Sequence, residues 1–76
     1  MSPTLAHMQL NIEALKAMRQ MSGDSQKSLA ARAKISEYAL QQIEAGASKP
    51  RNSTIVKLAA ALSVPVGAIT NLEEAS

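Results

Sequence analysis

Residues 34–44 read KISEYALQQIE, and this stretch predicts a helix with two unlike faces. At about 100° per residue, Leu40 and Ile43 fall on one face, with Ala39 at its margin. Tyr38, the only aromatic residue of the chain, falls on the opposite face together with two glutamines. A small protein with a single aromatic ring would be expected to bury it. Its place among hydrogen-bonding groups therefore points to a role outside the core.

The polar face of this helix consists of Glu37, Tyr38, Gln41 and Gln42. A solvated helix face is one interpretation, although such faces are usually rich in Lys and Glu. A glutamine side chain carries both a donor and an acceptor, which match the N6/N7 edge of adenine in the DNA major groove. A tyrosine can contact a thymine methyl with its ring or a phosphate with its hydroxyl. We therefore predict that this face reads DNA bases. For Glu37, recognition of cytosine N4 and a stabilising charge in the first helical turn both remain open.

The composition of the whole chain favours a single small all-α domain. Its 76 residues include 46% hydrophobic residues but no Phe, Trp or Cys, so the core must be aliphatic and β-branched runs are scarce. The lack of cysteine excludes disulfides and thiolate metal sites. No segment approaches the roughly 20 apolar residues of a membrane span, and the first residues lack the basic region of a signal peptide. We therefore expect a cytoplasmic protein that is not associated with a membrane.

Hydrophobic spacing and helix-terminating residues predict five helices in a compact bundle, with no strand. The first helix is long, beginning near Ser2-Pro3 and ending before Gly23, so that residues 1–11 form an N-terminal helical extension. Residues 73–76 form a tail. The second helix runs over residues 26–33 and is capped by Asp24 or Ser25.

The third helix is capped by Ser36 and ends at Gly46, and the fourth begins at Asn52 or Ser53. Val64-Pro65 separates the fourth helix from a short fifth helix. The predicted inward residues of helices two and four are Leu29, Ala30, Ala33, Ile55, Leu58, Ala59 and Leu62. Because the turn between helices two and three is very short, these helices must cross steeply, as in helix-turn-helix units.

The joint spacing of these residues resembles a known family. The pattern RxxxxxxQxxLAxxxxISxxxxxxIExGxxxP runs from Arg19 to Pro50, and IxxLAxxLxV runs from Ile55 to Val64. Together they are similar to the phage repressor/Cro-like (XRE-type, lambda-repressor-like) helix-turn-helix DNA-binding domains. The resemblance covers about residues 12–70, which is nearly the whole chain.

The resemblance implies roles for individual residues. Gln26 matches a glutamine that holds a DNA phosphate at the start of the second helix, where an anion is favoured for independent reasons. The base-facing positions match Glu37, Tyr38 and Gln42, with Gln41 beside them. Arg19 and Glu44 match a structural ion pair between helices one and three. The predicted phosphate contacts are Ser25, Gln26, Lys27, Lys34, Ser36, Lys49 and Arg51.

Three residues depart from the family pattern. Lys34 stands where the family prefers glycine in the turn, which costs roughly 1 kcal/mol if the residue is left-handed. Alternatively, the turn differs and Lys34 points at a phosphate. Asp24 and Asn52 each replace a usual apolar residue.

Together these features predict a sequence-specific double-stranded DNA-binding protein that regulates transcription, as a repressor. One helix contacts few bases, so we expect a homodimer on an inverted-repeat operator. The candidate dimer surface is Val64, Val66, Ile69 and Leu72, together with the long first helix. Because the recognition face lacks arginine, A·T pairs are expected to dominate the contacted bases.

The alternative function is a protein-interaction module, such as the antitoxin of a toxin–antitoxin pair or an adaptor, since the net charge is only +2. A helical bundle without affinity for nucleic acid is a third interpretation. We expect no enzymatic activity, metal site or cofactor, because His7 is the only histidine and has no partner residues for a metal or a catalytic triad.

Overall fold

The computed structural model describes residues 8–72, which form four α-helices and a small two-stranded antiparallel sheet. The elements are β1 (Met8–Leu10), α1 (Ile12–Met21), α2 (Gln26–Ala33), α3 (Glu37–Glu44), α4 (Asn52–Leu62), a 3₁₀ turn (Val66–Ile69) and β2 (Thr70–Leu72). None of these helices has the length and hydrophobicity that crossing a membrane requires. The predicted lambda-repressor-like all-α class is confirmed, with four helices where five were expected.

The predicted start of the first helix is wrong. Residues 8–10 form a strand instead, in the register Met8↔Leu72, Gln9↔Asn71 and Leu10↔Thr70. Helix α1 begins only after Asn11, whose side-chain oxygen accepts the backbone N–H of Ala14 at 3.0 Å. The backbone N–H of Asn11 donates to the carbonyl of Ile69 at 2.8 Å, which continues the pairing of the two strands. The remainder of the expected extension, residues 1–7, lies outside the described residues.

The predicted fifth helix is also wrong. Only one 3₁₀ turn forms over Val66–Ile69, and the chain is extended from Thr70 onward, with φ −130° and ψ 157° at that residue. The Thr70 hydroxyl donates to the Val66 carbonyl at 3.0 Å, closing the turn. The side chain of Asn11 then donates to that of Asn71 at 3.1 Å, across the sheet. The sheet therefore ties the two ends of the described chain together. The predicted tail, residues 73–76, lies outside the described residues.

The core lies between the four helices and is entirely aliphatic. Every inward residue predicted for α2, α3 and α4 is buried or, for Ala39, half-buried. The largest fully buried side chains are Leu15, Leu29, Leu40, Ile55, Leu58 and Ile69. This apolar burial is the main favourable term in the folding of such a domain.

Burial of Ile69 corrects one part of the predicted dimer surface. Its side chain is 0% exposed and belongs to the core, so it cannot also face a second copy. Val64 and Val66 are half-buried and pack against the same core. Leu72 lies in β2 opposite Met8. The C-terminal segment therefore has less spare apolar surface than its sequence indicated.

Candidate nucleic-acid interface

Helices α2 and α3 are each begun by a serine and separated by a tight turn. Ser25 Oγ accepts the backbone N–H of Ser28 at 3.0 Å, and Ser28 Oγ accepts that of Ser25 at 3.1 Å, forming a capping box. Ser36 Oγ caps α3 by accepting the N–H of Ala39 at 3.0 Å. Both serines predicted to contact phosphates therefore serve first as helix caps. Each hydroxyl oxygen is an acceptor in its cap.

The turn itself depends on Lys34, which ends α2 in the left-handed conformation with φ 64° and ψ 41°. Its N–H donates to the carbonyl of Ala31, and the N–H of Ile35 donates to that of Ala30 at 3.0 Å. Glycine is the usual residue at such a helix end because it carries no Cβ. Of the two interpretations of Lys34, the structure shows the one with a left-handed backbone. The side chain of Lys34 is exposed.

Helix α3 presents the polar face that its sequence predicted. Tyr38 is 68% exposed, although a lone aromatic ring would favour burial. Glu37 and Gln41 are exposed and Gln42 is half-buried. On the opposite side, Leu40 and Ile43 are 0% and 3% exposed and fix the helix to the core. The four predicted base-reading residues therefore stand on a rigidly supported helix.

A buried ion pair holds the end of α3 against α1. Arg19 Nε and Nη2 donate to the two carboxylate oxygens of Glu44 at 2.8 and 2.9 Å, and Nη1 donates to the Asp24 carbonyl at 3.1 Å. The Glu44 side chain is 4% exposed and that of Arg19 is 14% exposed. The hydrogen bond to Glu44 raises the pKa of Arg19. Burial alone would raise the pKa of Glu44, but the hydrogen bonds from Arg19 and Gln26 outweigh it and the pKa is lowered. Both groups are therefore charged near neutral pH.

Gln26 takes part in the same cluster, which the sequence did not indicate. Its Nε2 donates to Oε1 of Glu44 at 2.9 Å, bringing the start of α2 to the end of α3. The two residues are 18 positions apart, so no local pattern could have predicted the bond. The residue predicted to hold a phosphate is thus already tied, through one hydrogen bond, to the end of α3.

Apart from the half-buried Lys16, the cations of the described chain fall into two groups. Arg32 pairs with Asp24 and also donates to the carbonyl of Ala61, so its charge is used within the fold. The hydrogen bond from Arg32 comes first among the causes that lower the pKa of Asp24 to about 2, followed by one from Ser22. The second group consists of exposed side chains that form no ion pair within residues 8–72, and it includes the four predicted phosphate contacts Lys27, Lys34, Lys49 and Arg51.

Loop residues 45–51 carry two of these free cations. Gly46 follows α3 with φ +77°, a conformation that favours glycine. Arg51 occupies the N-cap of α4, yet no side chain caps the first turn of that helix. Ser, Thr, Asp or Asn at this position would stabilise the helix by about 1 kcal/mol. An arginine at this position is therefore not explained by helix stability.

Helices α2 and α3 are short and are joined by a turn with one left-handed residue, and α3 has an exposed polar face. These features define a helix-turn-helix protein. The helix-turn-helix family model matches residues 15–69, and the chain belongs to this family. The predicted resemblance is therefore confirmed.

Two solved structures have a similar fold. The clp gene regulator ClgR from C. glutamicum is 23% identical, with a TM-score of 0.69, over 74% of this chain and 73% of that one. The DNA-binding domain of the P22 C2 repressor (residues 1–76) is 24% identical, with a TM-score of 0.71, over 80% of each chain. No curated protein matches the chain.

Proposed function

We propose that this protein binds double-stranded DNA sequence-specifically and regulates transcription as a repressor. The observation that carries the proposal is the exposed face of α3, with Tyr38 68% exposed on a helix whose other side is fixed in the core. A helix is narrow enough to enter the major groove, where each base pair presents a distinct pattern of donors and acceptors. The two solved structures of similar fold are a gene regulator and a repressor domain, which supports the same conclusion.

Base reading is assigned to Tyr38, Gln41 and Gln42, with Glu37 at the edge of the face. Gln41 Nε2 lies 3.5 Å from Glu37 Oε2, a long contact that leaves the amide available for a base. Glutamine pairs best with adenine, and the strongest guanine reader, arginine, is absent from α3. We therefore propose that A·T pairs dominate each half-site.

Positioning on the duplex is assigned to the free cations and to the start of α2. Lys27, Lys34, Lys49 and Arg51 are exposed and unpaired within residues 8–72, so neutralising phosphates would cost no internal ion pair. Contacts of this type fix the register of a protein on DNA without reading its sequence. Each such contact that is removed should reduce the salt slope of binding by about one unit.

A homodimer on an inverted repeat completes the proposal. A single helix reads too few bases for a useful specificity ratio, and twofold symmetry doubles the site. With Ile69 in the core, the remaining candidates for the dimer surface are the half-buried Val64 and Val66 and the strand residue Leu72.

Selection from random duplex DNA tests base reading directly. We expect the wild-type protein to select an A·T-rich inverted repeat, bound by two copies of the chain. The double variant Tyr38→Ala/Gln42→Ala should lose the selected motif while keeping its fold, since both side chains lie outside the fully buried core. Each lost base contact is expected to remove about 1–3 kcal/mol of discrimination.

The control for this selection is Lys16→Ala, a half-buried lysine of α1 that has no predicted role in DNA contact. It should select the wild-type motif. Equal weakening on all sequences by the Tyr38/Gln42 variant would reassign those residues to backbone contact. If the wild-type protein selects no motif, the proposed function is contradicted. If it selects G·C-rich half-sites, only the assignment of A·T pairs is contradicted.

The two left-handed residues that are not glycine provide a matched pair for separating stability from DNA contact. Lys34 and Ser63 end α2 and α4 with φ 64° and 60°. Replacing either by glycine relieves the Cβ clash but adds freedom to the unfolded chain, so we expect a gain of about 0.5–1 kcal/mol in unfolding free energy. Only Lys34→Gly removes a proposed phosphate contact. It should weaken DNA binding and lower the salt slope by about one unit, whereas Ser63→Gly should leave both unchanged.

Urea unfolding and salt titrations of DNA affinity measure the two effects separately. An unchanged salt slope for Lys34→Gly would remove this residue from the phosphate contacts. A loss of stability in either variant would show that the left-handed backbone is not strained there.

A further inference from the structure

Glu44 binds more donors than its ion pair requires. The guanidinium of Arg19 occupies both carboxylate oxygens, at 2.8 and 2.9 Å, and Nε2 of Gln26 adds a third bond to Oε1 at 2.9 Å. Glu44 is 7% exposed, and every buried side-chain polar atom among residues 8–72 has a partner. The ion pair accounts for the packing of α1 on α3, but it does not account for the third bond.

That third bond fixes the orientation of the Gln26 amide. An ionised carboxylate can only accept hydrogen bonds, whereas a glutamine amide has an acceptor oxygen and a donor nitrogen at its end. With Glu44 charged, the amide nitrogen must face it and the oxygen must face elsewhere. One Nε2 hydrogen is used by Glu44, and the second remains for another acceptor.

Gln26 is itself the first residue of α2, and other donors at this end of the helix are free. The backbone N–H groups of Gln26 and Lys27 form no hydrogen bond within residues 8–72, as the first N–H groups of a helix do not. These donors, together with the helix dipole, favour an anion at this end. An amide turned the other way would offer its oxygen in place of the nitrogen, and an oxygen repels a phosphate.

We propose that Glu44 is a positioning residue for DNA binding, which sets the amide of Gln26 so that an N–H points at a phosphate. The proposal rests on the proposed function. It assigns to Glu44 a second role besides the ion pair, because the same buried carboxylate both fastens α3 and orients the phosphate anchor of α2. Base reading and phosphate contact are thereby joined through one side chain.

A double-mutant cycle on DNA affinity tests the role. Glutamine is unsuitable at position 44, because Arg19 Nη2 and Gln26 Nε2 share Oε1 and one amide oxygen could accept from both. In Glu44→Leu, position 44 has no acceptor, so nothing holds the nitrogen of the Gln26 amide in place. We expect Gln26→Ala and Glu44→Leu each to weaken binding to the selected DNA about tenfold, the value of a hydrogen bond to a charged group. In the Gln26→Ala background, Glu44→Leu should change affinity less than about twofold.

The outcomes separate this proposal from the proposed function. Equal losses from Glu44→Leu with and without Gln26 would mean that Glu44 acts only through the fold, and no loss at all would also overturn the positioning role. Failure of the wild-type protein to bind any selected duplex would instead overturn the function itself. Circular dichroism at the binding temperature confirms that each variant is folded.

Side-chain NMR of the wild-type protein gives a second measurement that needs no substitution. We expect one Nε2 hydrogen of Gln26 to exchange slowly, because it is bonded to Glu44, and the other to shift when the selected DNA is added. The matched control for free exchange is the exposed Gln20 amide, whose side chain forms no hydrogen bond within residues 8–72. Rapid exchange of both Gln26 hydrogens, or no shift on adding DNA that binds, would contradict the proposal.

Discussion

Replacing Glu44 by alanine is expected to lower the free energy of unfolding by about 3–5 kcal/mol, which is the range for breaking a buried ion pair from one side. The substitution leaves the Arg19 guanidinium, only 14% exposed, without its carboxylate, and it removes the acceptor of Gln26. A domain of this size has about 4–11 kcal/mol in total. The variant should therefore unfold at a much lower urea concentration than the wild-type protein. Circular dichroism measures this unfolding.

Glu13 provides the matched control for this substitution. It is an exposed glutamate in the first turn of α1, so Glu13→Ala should cost no more than about 1 kcal/mol from the helix dipole. A loss of similar size in the two variants would mean that the buried pair contributes no more than a surface charge. The pair would then determine how α1 and α3 pack without adding to the free energy of unfolding.

The helices around the turn could be predicted from sequence because their signals are local. Each of α2 and α3 has a serine cap, apolar residues spaced for one buried face, and a residue at its end that stops it. The two faces of α3 follow from the same spacing, which is why Tyr38 and Leu40 were placed correctly. The departure at Lys34 was visible through the resemblance, because the family prefers glycine at this position.

The two ends of the chain could not be predicted in the same way. Met8 lies four residues before Ile12, which suits a helix, but Met8 and Leu10 with Gln9 between them suit a strand equally well. The choice depends on pairing with residues about 60 positions away. Strand preference depends strongly on such context.

The same limit applies to the candidate site. The sequence predicted base-reading and phosphate-contacting residues by spacing and resemblance, and the prediction included the Arg19–Glu44 pair. It did not indicate the bond from Gln26 to Glu44 or the pairing of Arg32 with Asp24, which connect separate turns or elements. Asp24 was a candidate cap of α2, but Ser25 caps the helix and Asp24 binds Arg32 instead.

Replacing Ile69 by alanine is expected to destabilise the monomer by about 2–5 kcal/mol, the range for removing a large aliphatic side chain from a core. Ile69 is 0% exposed, and its turn packs against both α1 and α4. Its carbonyl also accepts the N–H of Asn11, which precedes α1. The cavity therefore opens where the strands, α1 and α4 meet, and urea unfolding should report the loss.

The concentration dependence of unfolding separates the core role of Ile69 from the interface role that its sequence suggested. Truncating a residue of the monomer core lowers stability equally at low and high protein concentration. Truncating an interface residue lowers stability only at concentrations where the dimer forms. Val66→Ala is the matched control, because Val66 is half-buried in the same turn and remains a candidate for the dimer surface. An Ile69→Ala variant with unchanged monomer stability but weaker association would return Ile69 to the dimer surface and contradict its place in the core.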